Sequence, residues 1–407
     1  MAQSVLGSVT LGYEPIWNQK RTCAGVRLFA EAASTSSVDG QHLLDAIAGL
    51  WPVSAPTLLL SVRSPLLLGS LLDHPGARGI WIEVQDHFMA DALFAGRVRK
   101  AQQRGAALVW SGEPGQALDG GMAPLFHRTL RTLTPQEALA ALRVSLRQNQ
   151  DSGLNADQGL RSPVVHGSLY QGLASQALLE HALDRQGIWG VAGWPMEEVL
   201  HGYRFKQIQP SRQLLRALVR AIEDDESLEA LEHRMGNEPL LTYRFLRYAN
   251  SAHLGARCEV TSVRKGLMVM GYAKLRTWLM EQVSHASSDP NLDPIRWSMV
   301  LRARIMERLA DAGIEDDLRR EVFLCGVLSQ VDLLLGEPLG AALHRLPLPG
   351  RIASAVLGQT GPYAPWLEVA TALESANTRM IHDVCKAHKM AADEVNRALL
   401  RTLAAQE

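Results

Sequence analysis

Apolar and polar positions alternate differently in the two halves of this chain. Through residue 200, short apolar runs recur between longer stretches of helical spacing. The runs predict strands at Val9–Trp17, Gly25–Ala30, Thr57–Val62, Gly79–Val84, Ala106–Trp110, Pro124–His127, Pro163–Val165 and Ile188–Val191. Between them, Leu93, Val98 and Ala101 share a helical face. So do Ala138, Leu139, Leu142 and Leu146, in a helix that Thr134 caps and Pro135 opens. Strand and helix in repetition argue for a mostly parallel sheet, and this many strands suit a (β/α) barrel. Only the turn Asn18-Gln19-Lys20 separates the first two strands, so they are expected to pair as an antiparallel hairpin. An ordinary barrel does not open that way.

Beyond residue 200 the strand signals fade. Pro210-Ser211 opens a helix with Leu214, Leu215, Leu218, Val219 and Ile222 on one face, and Leu240, Leu241, Phe245 and Tyr248 mark the next. Val300, Leu301, Ile305 and Leu309 follow, then Phe323, Leu324, Val327, Leu328, Val331 and Leu335. Gly255, Gly271, Pro290, Pro294, Gly336-Glu337-Pro338, Pro347 to Gly350 and Gly361-Pro362 break the pattern. No fixed period repeats, which argues against a solenoid. The expectation is a barrel domain over residues 1–200 and an all-α domain over residues 201–407.

Composition narrows the class. The 407 residues carry 41 Lys plus Arg against 42 Asp plus Glu, without the basic excess of a general nucleic-acid binder. Cys23, Cys258, Cys325 and Cys385 lie far apart, which excludes a disulfide framework or zinc ribbon and suits a reducing cytosol. Met1 to Thr10 has no secretory pattern, and Arg63 and Asp73 interrupt the longest apolar stretches well short of the roughly 20 residues needed to cross a bilayer. A cytoplasmic location with no membrane insertion is expected.

The second half then reaches a specific pattern. Asn237-Glu238-Pro239-Leu240-Leu241-Thr242-Tyr243-Arg244-Phe245-Leu246-Arg247-Tyr248-Ala249-Asn250-Ser251-Ala252 resembles the signature segment of HDOD domains. Val260 to Gly271, Leu275 and Trp278, and Phe323 to Ser329 with Leu333 to Leu339 after it, follow the order of that family. The resemblance spans residues 210–375. It implies kinship with HD-type metal phosphohydrolases whose ligands are lost: Ser329 and Gln330 stand where the His-Asp pair would be, and neither residue type holds a divalent metal well.

With that half assigned, the first half resembles a degenerate EAL domain, a barrel that hydrolyses cyclic di-GMP in active members. Tyr13-Glu14-Pro15-Ile16-Trp17 resembles its opening strand and Ile188 to Pro195 its closing stretch. The resemblance implies metal-binding carboxylates at several strand ends. Here Arg27 stands at the motif glutamate, Ser61 at the next strand's asparagine, and Trp110-Ser111, near Gly112 and Glu113, at the paired aspartates. Val164-Val165-His166-Gly167 offers no carboxylate, which leaves Glu83 as the surviving acid. Arg27 and Glu83 are the candidate ligand-binding residues, with no catalytic or metal residue and no cofactor expected.

Other features have plainer readings. His382, Cys385 and His388 are three apart, and the first and third point about 120° from one another on a helix, so a solvated face is expected. His166 lacks a nucleophile or carboxylate partner in sequence. Arg244, Arg247 and Arg264-Lys265, beside Tyr243 and Tyr248, could form a phosphate patch, but they read first as the solvated side of core helices. Trp194, Trp278, Trp297 and Trp366 read as packing residues, and Asp119-Gly120-Gly121 as a loop tip.

Taken together, the sequence predicts a non-catalytic bacterial signalling regulator, not an enzyme, built from a degenerate EAL-type barrel and an HDOD domain. It would act on other signalling proteins, with cyclic di-GMP as a further candidate partner. The alternatives are a receptor that binds cyclic di-GMP at the barrel mouth without cutting it, and an active metal phosphodiesterase.

Overall fold

A computed structural model describes residues 4–32, 38–150, 161–251, 259–310 and 315–405; Met1, Ala252, Gly255 and Cys258 lie outside them. The chain forms two compact units, Met1–Glu198 with Ala372–Glu407, and Val199–Thr371.

The first unit contains strands β1 (Val9–Trp17), β2 (Cys23–Ala32), β3 (Thr57–Val62), β4 (Ile80–Gln85), β5 (Ala107–Ser111), β6 (Arg128–Thr132), β7 (Leu169–Gln171) and β8 (Gly190–Ala192) in a closed barrel. Its helices are α1 (Gly40–Ala48), α2 (Pro65–Leu72), α3 (Asp86–Met89), α4 (Ala92–Gln103), α5 (Pro135–Gln150), α6 (Gln176–Glu180) and α7 (Met196–His201), the last running just past the unit's edge. β1 pairs antiparallel with β2 and with β8, while neighbours from β2 to β8 run parallel. The opening hairpin is thus as expected. Its turn holds because the Asn18 side chain accepts from the backbone of Lys20 at 2.9 Å while Arg21 takes a positive φ of 59°. α5 begins with a reciprocal capping box: Glu137 accepts from the Thr134 amide at 2.8 Å, and the Thr134 hydroxyl accepts from the Glu137 amide at 3.2 Å.

Three strands fall later than the apolar runs suggest. Pro124 sits in a short 3-10 turn, Ala123–Leu125, because it has no amide to give a ladder, and β6 follows at Arg128. The Pro163–Val165 run lies in a turn stabilised by Ser162, which accepts from the Val164 amide at 3.2 Å, and β7 starts only after Gly167 turns the chain at φ 71°. β8 likewise begins two residues after Ile188.

The division of the chain also differs from a single break near residue 200. Helices α18 (Thr378–Ala387) and α19 (Ala392–Ala404) belong with the barrel. The β1–β2 hairpin has no crossover helix of its own to cover it, and these two helices pack there. Buried Asn396 donates to the Leu6 and Val9 carbonyls at 2.7 and 2.8 Å, and Thr378 donates to Glu31. Gly12 on β1 makes the approach possible, because a Cβ there would stand 2.2 Å from the Ser375 carbonyl oxygen.

Among the described residues, the second unit is helical apart from one bridge: α8 (Arg212–Glu223), α9 (Leu228–Gly236), α10 (Pro239–Ala249), α11 (Val263–His285), α12 (Asp293–Leu309), α13 (Asp316–Leu328), α14 (Val331–Leu335), α15 (Leu339–Leu343), α16 (Gly350–Gly358) and α17 (Ala364–Leu373). Leu215, Leu218, Leu231, Phe245, Leu267, Leu275 and Trp278 form its core, each fully buried apolar side chain contributing roughly 1.5–3 kcal/mol. α11 kinks at Gly271, whose φ of 68° breaks the helical ladder.

The Asn237-Glu238-Pro239 start of α10 has a physical basis. Pro239 occupies the first helical position, and the Glu238 carboxylate caps the helix by accepting from the Leu241 amide. Fully buried Glu238 also faces Arg296 Nε at 2.9 Å. Arg296 donates on to Asp293 at 2.9 Å and to the Gln209 carbonyl at 2.8 Å, tying α10, α12 and the segment ahead of α8 together. Burial pushes the Glu238 carboxyl upward, against the pull of Arg296 and two backbone amides.

Candidate functional site at the barrel mouth

Side chains on a strand alternate between barrel interior and exterior. Leu59, Trp81, Val109, Leu130 and Leu169 pack together inside the barrel, so the residues two further along, Ser61, Glu83, Ser111, Thr132 and Gln171, also face inward and nearer the C-terminal strand ends. From the hairpin, Arg27 and Glu14 join them in register with one another. The sequence-predicted pair is therefore brought together.

Arg27 and Glu83 form a bidentate pair: Nε donates to one Glu83 oxygen and Nη2 to the other, both at 2.8 Å. Glu83 is almost fully buried at 1% exposure, and Arg27 at 12% is nearly so. Arg27 Nη1 donates to Gln171 Oε1 at 2.6 Å and lies 3.6 Å from Glu14 Oε2. Gln171 donates onward to the Thr132 hydroxyl at 2.9 Å. Four strands are thus joined through one guanidinium, with the Phe29 ring 5.0 Å from its carbon. Burial raises the Glu14 carboxyl above its ordinary value, with Arg27 opposing the shift and Glu83 adding to it.

Sequence reasoning missed Glu14, Thr132 and Gln171 as partners. β7 was placed too early to put Gln171 on the interior, and inward alternation from Leu169 is the signal that finds it. A further carboxylate, Asp86, sits just beyond β4 and accepts from Trp110 Nε1 at 2.7 Å and from Gln116. Ser61 and Ser111 are buried, while Glu113 is exposed on the loop after β5.

The EAL resemblance implies divalent metals, and the residues present do not match a metal centre at this position. Both Glu83 oxygens are taken by a cation, Glu14 faces the same cation, and the remaining interior groups are hydroxyls and an amide. Among the described residues, no group of three His, Cys, Asp or Glu side chains is placed to hold a metal ion.

The remaining candidates disperse. His166 is exposed, with Nδ1 3.1 Å from the Gln186 carbonyl. Cys385 is buried while His382 and His388 are half-buried, so the three do not converge. Ser329 turns its hydroxyl back to the Gly326 carbonyl at 2.7 Å, on the last turn of α13. Arg264 pairs with Glu232 at 3.4 Å, whereas Arg244 and Arg247 line a separate cavity with Tyr243, Tyr248 and Trp278. Trp194 meets Trp17 edge-on at 6.0 Å, and Trp366 stacks on Tyr363 at 5.8 Å. Among the described residues, no helix is long and apolar enough to cross a membrane.

Comparison with known proteins places these units. Residues 209–336 match the HDOD domain. The chain is 22% identical over 181 residues to the cyclic di-GMP phosphodiesterase CdgJ of Vibrio cholerae, a match covering 44% of this chain and 42% of that protein. Among solved structures, the MmoQ response regulator of Methylococcus capsulatus aligns with a TM-score of 0.38 and 16% identity, covering 47% of this chain and 98% of that one. The FimX EAL domain of Pseudomonas aeruginosa, bound to c-di-GMP, aligns with a TM-score of 0.29 and 11% identity, covering 47% and 90%. The expectation that this chain is not an enzyme is corrected here, because the curated relative it matches is named as a phosphodiesterase. The HDOD match, residues 209–336, lies in the helical unit, and the other unit is an eight-stranded closed barrel.

Proposed function

We propose that this chain is a cytoplasmic regulator in cyclic di-GMP signalling, receiving the cyclic dinucleotide at the barrel mouth and acting on other signalling proteins through its HDOD-bearing unit. The name of the Vibrio cholerae relative supports the signalling context. The observation that carries the reading is Arg27, a cation on the barrel interior toward the strand ends where barrels of this kind bind ligands. Glu83 holds the guanidinium in one plane, and the bonds to Glu83 and Gln171 use three of its five N–H groups. A phosphodiester oxygen would accept from the others and displace Glu14, whose raised pKa lets it give up its charge more readily.

The test is calorimetric titration of the full chain with cyclic di-GMP in Mg²⁺ and in Ca²⁺, followed by chromatography of the mixtures for linear dinucleotide. Saturable binding is expected, with Arg27→Lys weakening it about tenfold through loss of the bidentate geometry, and Glu14→Gln strengthening it. Linear product would assign hydrolysis to the barrel as well. Absence of heat, or affinity unchanged in both variants, would refute binding at the mouth.

A further inference from the structure

A cavity of about 760 Å³ opens in the helical unit between α10, the second half of α11 and the region around α14. That volume lies inside the roughly 300–1,000 Å³ range of small-molecule sites. Among the described residues, three arginines line it, Arg244, Arg247 and Arg345, against a single acid, Glu337. Glu337 is already engaged, accepting from both terminal nitrogens of Arg345 at 2.7 and 2.8 Å. Half-buried Arg244 donates to neutral acceptors, Gln209 Oε1 at 2.8 Å and the Ile208 carbonyl at 3.1 Å. Arg247 is exposed, its guanidinium carbon 5.9 Å from the Tyr243 ring centre. Among the described lining residues, arginines therefore outnumber acids by two, with buried Glu238 behind Arg244 offsetting part of its charge, unlike a solvated helix face in which cations alternate with acids.

The same cavity has an aromatic wall. Tyr248 stacks on Trp278 with ring centres 5.6 Å apart and planes 26° from parallel, and Phe245 braces Trp278 edge-on from the core at 5.6 Å. Trp278 is buried and Tyr248 half-buried, so the pair is fixed before any ligand arrives. A rigid π-surface beside excess guanidinium charge suits a ligand that is planar at one end and anionic at the other.

We infer that this cavity binds a nucleotide, its base against Tyr248 and its phosphate between Arg247 and Arg345. This does not rest on the barrel reading, since every group it uses lies in the helical unit. An acidic peptide would satisfy the arginines but leave the aromatic wall without a use.

The experiment titrates the full chain with GMP and AMP, which keeps the barrel's cyclic dinucleotide out of the reading, with inorganic phosphate alone as the anion control. Saturable binding of at least one nucleotide is expected, weakened about tenfold or more by Arg247→Ala. Tyr248→Leu should weaken the nucleotide and leave phosphate unaffected, and Arg27→Lys should leave this binding intact. Because Arg247 is exposed, its removal leaves the core alone; Arg247→Glu, with a matching thermal melt, is the second variant. No saturable heat with any nucleotide at millimolar concentration would overturn the proposal. So would binding that survives both Arg247 variants, phosphate binding as well as the nucleotides, or an acidic peptide binding in their place. Loss of all nucleotide binding in Arg27→Lys would move the ligand to the barrel and equally overturn it.

Discussion

In the barrel, Arg27 reaches across the interior to a buried carboxylate and has a second carboxylate 3.6 Å away; in the helical unit, Arg244 donates to an amide and a carbonyl, and Arg247 lies over a tyrosine ring. Both regions are polar, yet the first neutralises its cation and the second accumulates cations. The difference reflects solvent access. A guanidinium almost closed off from water inside a barrel requires a counter-charge, because an unpaired buried ion loses far more hydration than neutral bonds return. At the rim of an open cavity, water supplies that hydration until a ligand replaces it. A buried pair is therefore first of all part of the fold, whereas a cluster with more cations than acids at a surface is free to recognise something.

The contrast predicts its largest effect in stability. Arg27→Ala leaves Glu83 buried and unpaired, and should cost about 3–5 kcal/mol in urea unfolding of the full chain. Arg247→Ala should cost less than about 0.5 kcal/mol, as an exposed position does. Replacing both partners, Arg27→Met with Glu83→Leu, should recover most of the loss, since neither charge is then stranded. Equal costs for the two single alanine variants would mean that the barrel network is hydrated, and the contrast would collapse.

Much of this arrangement was legible in the sequence, and the failures are instructive. β1 to β5 and the opening hairpin announce themselves because dense apolar runs end at clear turns, as at Asn18-Gln19-Lys20. β6 to β8 do not, because each begins later than the apolar stretch that signals it, and that stretch starts outside the ladder. That shift hid Gln171 as a neighbour of the Arg27–Glu83 pair. Helices α18 and α19 have the same amphipathic texture as those of the helical unit, and nothing local says which surface they cover. The clue is Gly12, a residue with no side chain on a strand of bulky ones, whose reason lies in the distant backbone of Ser375. In the helical unit, the arginines alternating with Leu and Phe look like a solvated face. Only the fold shows that Glu337 is the sole acid among the cavity's described lining residues.

That acid sharpens the comparison at intermediate size. Glu337 is partly exposed and bonded to an exposed Arg345, so Glu337→Ala should change stability by no more than about 1 kcal/mol. Removing a negative charge about 6 Å from a bound phosphate is worth about 0.7 kcal/mol in a water-like dielectric, or roughly threefold tighter nucleotide binding. GMP titration of this variant reads the change directly. Weaker binding would mean that Glu337 positions Arg345 for the ligand and does not compete with it.

The smallest effect separates the regions by pH. Glu14 faces Arg27 from β1 and is opposed by Glu83 from β4, and burial lifts its carboxyl above the ordinary 4.5. An acid whose pKa is raised on folding binds more protons in the folded state across the interval between its unfolded and folded values. Stability from this group is therefore greatest below about 4.5 and declines as pH rises through the raised value. Urea midpoints measured across that interval should fall less steeply in Glu14→Gln than in the native chain. Binding at the barrel mouth should tighten over the same interval as pH falls, because protonating Glu14 removes a negative charge beside Arg27. A wild-type slope retained in Glu14→Gln would show that other groups set the pH response, and that Glu14 already stands in water.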